Sequence, residues 1–117
     1  MNQTSFEMVR IAVEALREKK GKDIIALDVS ERTVLTDAFI IVTGTNDRQV
    51  TALTDAVDEA LTKAGFAKKN VEGYHTGKWI LLDFGDLIVH VFDTESRAFY
   101  DLERIWRDAE RVEVPEA

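Results

Sequence analysis

Residues 79–92 constrain the fold most, because they predict a β-hairpin that is apolar on both faces. Gly85 and Asp86 suit a two-residue turn, since glycine accepts the positive φ that such turns require. One face then pairs only apolar residues: Phe84 with Leu87, Leu82 with Val89, and Ile80 with Val91. The other face pairs Asp83 with Ile88, Leu81 with His90, and Trp79 with Phe92. The first face must be core, and the second must be covered either by the chain's own helices or by a partner.

The composition indicates a cytoplasmic protein with one domain and no membrane segment. The chain has 117 residues, of which 45% are hydrophobic, and this is enough for one core. It contains no cysteine, which excludes disulfides and thiolate metal sites. No basic and then apolar leader is visible, and no apolar run approaches the roughly 20 residues of a membrane span. The net charge of −7 disfavours direct nucleic-acid recognition and favours a basic protein partner.

Two long helices are predicted from apolar spacing and capping residues. The first spans about residues 5–20, with Thr4 and Glu7 as a capping box and Gly21 as its end. The second opens at Asn46, three residues before Gln49, and ends at Gly65. Their buried stripes are Phe6, Val9, Val13 and Leu16 in the first helix, and Val50, Leu53, Val57 and Leu61 in the second. Both helices should lie on a sheet.

A third helix is predicted from about Ser96 to Ala109, with its apolar residues on a buried side. Those residues are Phe99, Leu102 and Ile105. Residues 111–117 read as a frayed C-terminal tail that follows a domain of residues 1–110.

The order of elements predicts the fold class. β-Branched residues predict strands at 24–29 and 38–43, and a short extended piece lies near Val71. The strand at 38–43 is followed by a helix and then by further strands, which is typical of a right-handed crossover. We therefore predict a single layered α/β domain, a mixed β-sheet with flanking helices.

Acidic residues and one histidine raise the alternative of a metal or catalytic site. The candidates are Asp28, Asp37, Asp83, Asp86, Asp93 and His90. No two aspartates form a D-x-D pair on one strand, so turn and cap roles are favoured over magnesium binding. His90 lacks a neighbouring nucleophile and is interpreted as a hydrogen-bonded core residue. We predict a protein that is not an enzyme, with no catalytic or metal residues and no cofactor.

Two further features leave alternatives open. Residues 44–46, between a strand and a helix, suit anion binding as in nucleotidyltransferases, but the acidic residues that those enzymes need on the following strand are missing. An enzyme of that kind with atypical ligands is one alternative, and a self-associating interaction module is another. Trp79, Tyr100 and Trp106 fit either the core or a protein interface, and Arg97 lies close to Tyr100 at helical spacing.

Short motifs run along nearly the whole chain. They are D-I-I-A-L-D-V at 23–29, L-T-D at 35–37, V-T-G-T at 42–45, R-Q-V at 48–50, V-E-G at 71–73, W-I-L-L-D-F-G-D at 79–86, H-V-F at 90–92, and Arg97 with Tyr100, Leu102, Glu103 and Trp106. Their order and spacing resemble the ribosomal silencing factor family, also called Iojap-like. The resemblance implies a small α/β protein related to nucleotidyltransferases but lacking their catalytic residues. It also implies binding to large-subunit ribosomal protein fourteen, where the small subunit would dock, and slower translation when nutrients are scarce.

The resemblance also implies a partner-binding surface. Carried over by position, its residues are Trp79, Asp83, Leu82, Glu72, Arg97 and Tyr100. Leu82 lies on the hairpin face assigned to the core, so it would meet a partner only at the edge of the hairpin. A homodimer is reasonable for the same family. Bound to the large ribosomal subunit, an acidic protein of this kind would exclude the small subunit by its volume alone.

Overall fold

The computed structural model describes residues 1–116, in which helices lie on both faces of one six-stranded β-sheet. In chain order the elements are α1 (Gln3–Glu18), β1 (Lys22–Asp28), β2 (Ala38–Gly44), α2 (Asp47–Lys63), β3 (Asn70–Glu72), β4 (Trp79–Asp83), β5 (Leu87–Asp93), α3 (Thr94–Tyr100), α4 (Leu102–Ile105) and β6 (Glu110–Arg111). The strands lie in the order β3-β4-β5-β2-β1-β6. β2 and β5 run parallel, and the other neighbouring pairs run antiparallel. The predicted mixed sheet of an α/β domain is confirmed.

The hairpin of β4 and β5 has the register that its turn predicts. The pairs are Trp79–Phe92, Ile80–Val91, Leu81–His90, Leu82–Val89 and Asp83–Ile88. Gly85 takes a φ of +86°, and the Phe84 amide donates to the Leu87 carbonyl at 2.9 Å across the turn. Alternate residues therefore point to opposite faces of the sheet.

Helices α1 and α2 cover the first face of the sheet and form the main core. Asn46 caps α2 as predicted, because its side chain accepts from the Gln49 amide at 2.8 Å. The predicted stripe is fully buried: Val50, Leu53, Val57 and Leu61. It packs with the sheet residues that point to this face, which include Ile40, Val42, Ile80, Leu82, Val89 and Val91.

The start of α1 differs from the prediction. Its N-cap is Asn2, whose side chain accepts from the Ser5 amide at 2.8 Å, so the capping box of Thr4 and Glu7 is wrong. Ser5 is one helical turn before the buried Met8 and Val9 and points towards the core, whereas Phe6 is exposed and does not belong to the buried stripe. The rest of that predicted stripe is buried: Val9, Val13 and Leu16.

The predicted third helix is replaced by two short ones. Asp101 takes a left-handed φ of +46°, which ends α3 and separates it from α4. One apolar stripe cannot continue through such a break, and Phe99 and Ile105 are 80% and 69% exposed rather than buried. Trp106, just after α4, does reach the sheet, where its ring lies edge-on to Phe39 at 5.0 Å.

The residues after Ala109 lie along the sheet instead of fraying. Strand β6 pairs with β1, with Arg111 opposite Leu27. Val114 is buried, and its carbonyl accepts a hydrogen bond from Arg17 at 2.6 Å. This differs from the frayed tail predicted for residues 111–117, of which Ala117 lies outside the described part.

Candidate functional site

The second face of the sheet is covered only in part. Helices α3 and α4 and the Trp106 ring lie near a small buried cluster on this face. Its members are Leu27, Val29, Phe39, Ile41 and Phe92, which come from β1, the loop after it, β2 and β5. The cover therefore lies over one part of the sheet, and the β3–β4 side of this face remains accessible.

An aromatic cluster marks the boundary of the covered part. Trp79 is half-buried, and its Nε1 donates to Nδ1 of His90 at 3.1 Å. The Trp79 ring lies 4.5 Å from the Tyr100 ring and 5.1 Å from the Phe92 ring, measured between centroids. Tyr100 is the exposed end of this stack. Trp79 and Tyr100 are thus brought together, with one side of the pair open to solvent.

His90 is a buried acceptor in this cluster. Its exposure is 6%, and burial lowers its pKa from the usual 6.5 to about 4. The neutral ring keeps Nδ1 free of a proton, which is what the hydrogen bond from Trp79 requires. The interpretation of His90 as a hydrogen-bonded core residue is confirmed.

The accessible part of the second face combines two apolar residues with two carboxylates beside them. We call it the open hairpin face and define it as Glu72, Leu81, Asp83 and Ile88. Glu72 is exposed and pairs with Leu81 across β3 and β4, while Asp83 pairs with Ile88 across β4 and β5. Leu81, Asp83 and Ile88 are each half-buried. The Asp83 carboxylate is held in place because it accepts from the Gly85 amide at 2.8 Å.

Leu81 and Ile88 are the residues that sequence reasoning missed. The hairpin register placed both on the second face, which was the available signal. Leu82, which the family resemblance implies as a contact residue, is completely buried under α1 and α2. The hairpin edge does not expose it either, because β3 pairs with β4 on the side away from β5. Leu82 is therefore a core residue, and its interpretation as a contact residue is wrong.

Arg97 holds α3 against the sheet instead of facing a partner. Its guanidinium donates to Glu103, to the Asp23 carbonyl at 2.7 Å and to the Thr43 hydroxyl at 2.9 Å. The side chain is 11% exposed. These bonds join the C-terminal helices to β2 and to the start of β1, so Arg97 fixes where the cover over the second face ends.

Comparisons with known proteins decide the family of this fold and surface. The family profile described as "Ribosomal silencing factor during starvation" matches residues 2–117. The chain belongs to the ribosomal silencing factor family. A ribosomal silencing factor from Chromobacterium violaceum is 44% identical over 100 residues, which are 86% of this chain and 82% of that protein.

A crystal structure and a more distant relative agree with this family. The crystal structure, of a Chromobacterium violaceum protein, matches with a TM-score of 0.86 and 38% identity, covering 100% of this chain and 95% of that one. The "Mitochondrial assembly of ribosomal large subunit protein 1" of Mus musculus is 28% identical over 101 residues, which are 84% of this chain but 44% of that protein.

In this member of the ribosomal silencing factor family, several aspartates have structural partners. Asp28 accepts from the Ser30 amide at 3.0 Å, Asp37 from the Ser5 hydroxyl at 2.6 Å, and Asp93 caps α3 through the Ser96 amide. Within residues 1–116, no group of three histidine or acidic side chains lies close enough to hold a metal ion.

The junction between β2 and α2 is also occupied by the chain itself. The Gln49 side chain accepts from the amide of Thr45 at 2.7 Å and from its hydroxyl at 2.8 Å. The Asn46 side chain accepts a hydrogen bond from the Gln49 amide. The backbone amides of Thr45 and Gln49, which could bind an anion, therefore already have acceptors within the protein.

None of the helices in residues 1–116 has the length and apolar content that crossing a membrane requires.

Proposed function

We propose that this protein represses translation by binding the large ribosomal subunit and blocking the small subunit from joining it. Its direct partner is large-subunit ribosomal protein fourteen, and it acts in the cytoplasm, where ribosomes assemble. The family description supports a role in silencing ribosomes, and the name of the Mus musculus relative ties that protein to the large subunit.

The open hairpin face is the observation that best supports this proposal. Leu81 and Ile88 offer two apolar side chains, and Glu72 and Asp83 place carboxylates directly beside them, Glu72 across from Leu81 and Asp83 across from Ile88. A protein surface of the opposite charge is favoured as the partner, because complementary charges steer association and discourage wrong partners. The net charge of −7 acts in the same direction and opposes direct contact with the RNA backbone.

Trp79 and Tyr100 extend this surface at the far end of the hairpin. The Trp79–Phe92 and Asp83–Ile88 pairs mark the two ends of β4, so Trp79 and Asp83 are separated by about 13 Å at the usual rise of a strand. Large aromatic side chains at that distance provide the kind of anchor that dominates binding energy in protein interfaces.

Occlusion is the mechanism that fits a surface of this kind. The described chain measures 33 × 32 × 28 Å, so a bound copy occupies a volume that a docking small subunit would need. Exclusion by volume needs affinity and position but no chemical step. The aspartates in turn and cap roles are consistent with such a protein.

Co-sedimentation with purified large subunits, followed by addition of small subunits, tests the proposal. The parent chain should sediment with large subunits and reduce subunit joining. Asp83→Lys should weaken binding on the order of tenfold or more, because it sets a cation against a basic partner. Asp83→Asn should weaken it less, since the amide oxygen can still accept from Gly85.

Glu59→Lys is the matched control, because it makes the same charge change at an exposed position of α2, on the covered side of the sheet. It should bind like the parent. If Asp83→Lys stays folded and binds as well as Glu59→Lys does, the open hairpin face is not the contact surface. A parent chain that sediments alone would remove the proposal altogether.

A homodimer is a second candidate, favoured by the surface of α3 and α4. Phe99 and Ile105 are exposed there, in a cavity of about 750 Å³ that they line with Asp101 and Arg104. Apolar side chains with charges of both signs suit pairing with an identical surface around a two-fold axis. Sedimentation equilibrium of the parent and of Phe99→Ser tests it, with a monomeric parent as the contradicting result.

A further inference from the structure

The loop between β1 and β2 displays two neighbouring apolar side chains that no described function uses. Val34 is fully exposed, and Leu35 is 80% exposed. They are among the most exposed large apolar residues of the described chain. Single exposed apolar residues are ordinary, but two adjacent ones at the end of a loop form a compact apolar surface. We call these two residues the loop tip.

Hydrogen bonds hold this loop in one conformation. The Val29 amide donates to the Asp37 carbonyl at 2.9 Å, which closes the base of the loop. The Thr33 amide donates back to the Val29 carbonyl at 3.0 Å, and the Thr33 hydroxyl accepts from the Leu35 amide at 3.1 Å. The Asp37 carboxylate is fixed by the Ser5 hydroxyl of α1. These hydrogen bonds fix the loop before binding, so less conformational entropy is lost when the loop tip contacts a partner.

The base of the loop that carries the loop tip contacts the turn of the hairpin. The Asp86 carbonyl in the hairpin turn accepts from the amides of Asp37 and Ala38, each at 3.2 Å. Val34 is three residues before Asp37, so it lies within about 11 Å of that contact. The next residue of β2, Phe39, pairs with Ile88 of the open hairpin face. The loop tip and the Asp83–Ile88 pair of the open hairpin face therefore lie at the same end of β5.

The charges around the loop tip are mostly negative. Glu31 and Asp86 are exposed, and Asp83 lies on the same hairpin. The nearby cations are Arg32, which donates to the Asp108 carbonyl, and Lys69, which lies beside Gly85. With the Asp37 carboxylate included, acidic groups outnumber basic ones. Apolar side chains with an acidic surround fit an apolar pocket on a basic protein.

We propose that the loop tip inserts into an apolar pocket of the same basic large-subunit protein that the open hairpin face contacts. This inference rests on the proposed function and adds a second anchor to it. The exposed Phe99 does not share this contact, because α3 follows the end of β5 whereas the loop tip precedes the start of β2, which is parallel to β5. The loop tip and α3 are thus at opposite ends of the strands.

A matched pair of substitutions tests the inference. Leu35→Ser and Phe99→Ser remove apolar side chains that are each 80% exposed, so neither should change the denaturant midpoint appreciably. Binding to purified large subunits is measured at one fixed ionic strength by co-sedimentation. Leu35→Ser should raise the dissociation constant about tenfold or more, as the loss of a buried anchor does, whereas Phe99→Ser, which leaves the loop tip intact, should raise it much less.

Each other outcome contradicts the inference in a distinguishable way. If the parent binds and Leu35→Ser binds equally well, the loop tip is not an anchor, while the proposed function stands. If the parent does not bind, both proposals fail. If Leu35→Ser instead changes the sedimentation of the free chain, the loop tip contacts a second copy of this protein.

Discussion

His90 shows how one buried side chain makes stability depend on pH. Its folded pKa is about 4, while the unfolded value is close to 6.5. Between these pH values His90 is protonated in the unfolded chain but neutral in the folded chain. The stabilisation is complete above about pH 6.5 and is lost as the pH falls towards 4, by about 1.4 kcal/mol for each pH unit of the window.

We therefore expect the free energy of unfolding to fall between pH 6.5 and 4, and His90→Asn to reduce that fall. Asparagine can accept from Trp79 but does not titrate in this range. The exposed His75 is the matched control, and His75→Asn should keep the slope of the parent. Denaturant melts across the pH range give the comparison. Equal slopes in the parent and His90→Asn would show that other groups control the acid sensitivity.

The sequence predicts the position of a site residue where the hairpin register determines the face of the sheet to which its side chain points. Trp79, Asp83 and His90 all lie on the face that the turn geometry assigned. The register cannot say how far a helix covers that face, and so Leu81 and Ile88 were missed. Their accessibility depends on where the C-terminal helices end, which is a property of tertiary packing and of the Arg97 bonds.

At the scale of elements, α1 and α2 are each followed by one residue in the left-handed conformation, but the type of residue differs. In α2, Gly65 takes the left-handed position with a φ of +96°, and Phe66 donates to the Leu61 carbonyl. In α1 the corresponding position is Lys20, with a φ of +60°, while Gly21 comes one residue later. The prediction that Gly21 itself stops the helix is therefore wrong in its detail. Gly21 is instead needed for close packing.

We expect Lys20→Gly to stabilise the protein and Gly21→Ala to destabilise it. Glycine at position 20 removes the strain of a left-handed side-chain residue, which is about 1 kcal/mol. A Cβ at Gly21 would lie 2.7 Å from Cγ2 of Val42 and 3.1 Å from Cδ2 of Leu53, both in the core. Denaturant melts check both changes. Lys19→Gly, at a position with an ordinary negative φ, is the control and should bring no gain.

The C-terminal elements were the least predictable from sequence. Phe99, Leu102 and Ile105 have helical spacing, and nothing local marks Asp101 as the residue that breaks the helix. Strand β6 has two residues, too few for a period to be read. Both features depend on contacts with β1 and β2 that lie far away in the sequence. The long helices and the hairpin carry strong local patterns and were predicted in the right places, although both ends of α1 differ.

At the scale of the whole molecule, the surface separates into regions with different character. The hairpin turn and the loop tip share one end of β5 and an acidic surround, whereas Phe99 is in α3, which follows the other end, and lines a cavity with charges of both signs. The proposed partner surface and the proposed dimer surface therefore involve different residues of one chain. The net charge favours a basic partner, but the position of the proposed surface follows only from the folded structure.

Occlusion makes a quantitative prediction that concerns the entire bound volume. If a bound copy and a docked small subunit exclude each other completely, each must lower the apparent affinity of the other by the same factor, because binding equilibria are reciprocal. The apparent dissociation constant of a labelled chain for large subunits should then rise in proportion to the concentration of small subunits, without a limit. A complex that tolerates both partners would give a plateau instead, set by the finite coupling between the two sites. Titrations at several small-subunit concentrations distinguish the two, and a plateau would rule out occlusion even if the chain binds the large subunit tightly.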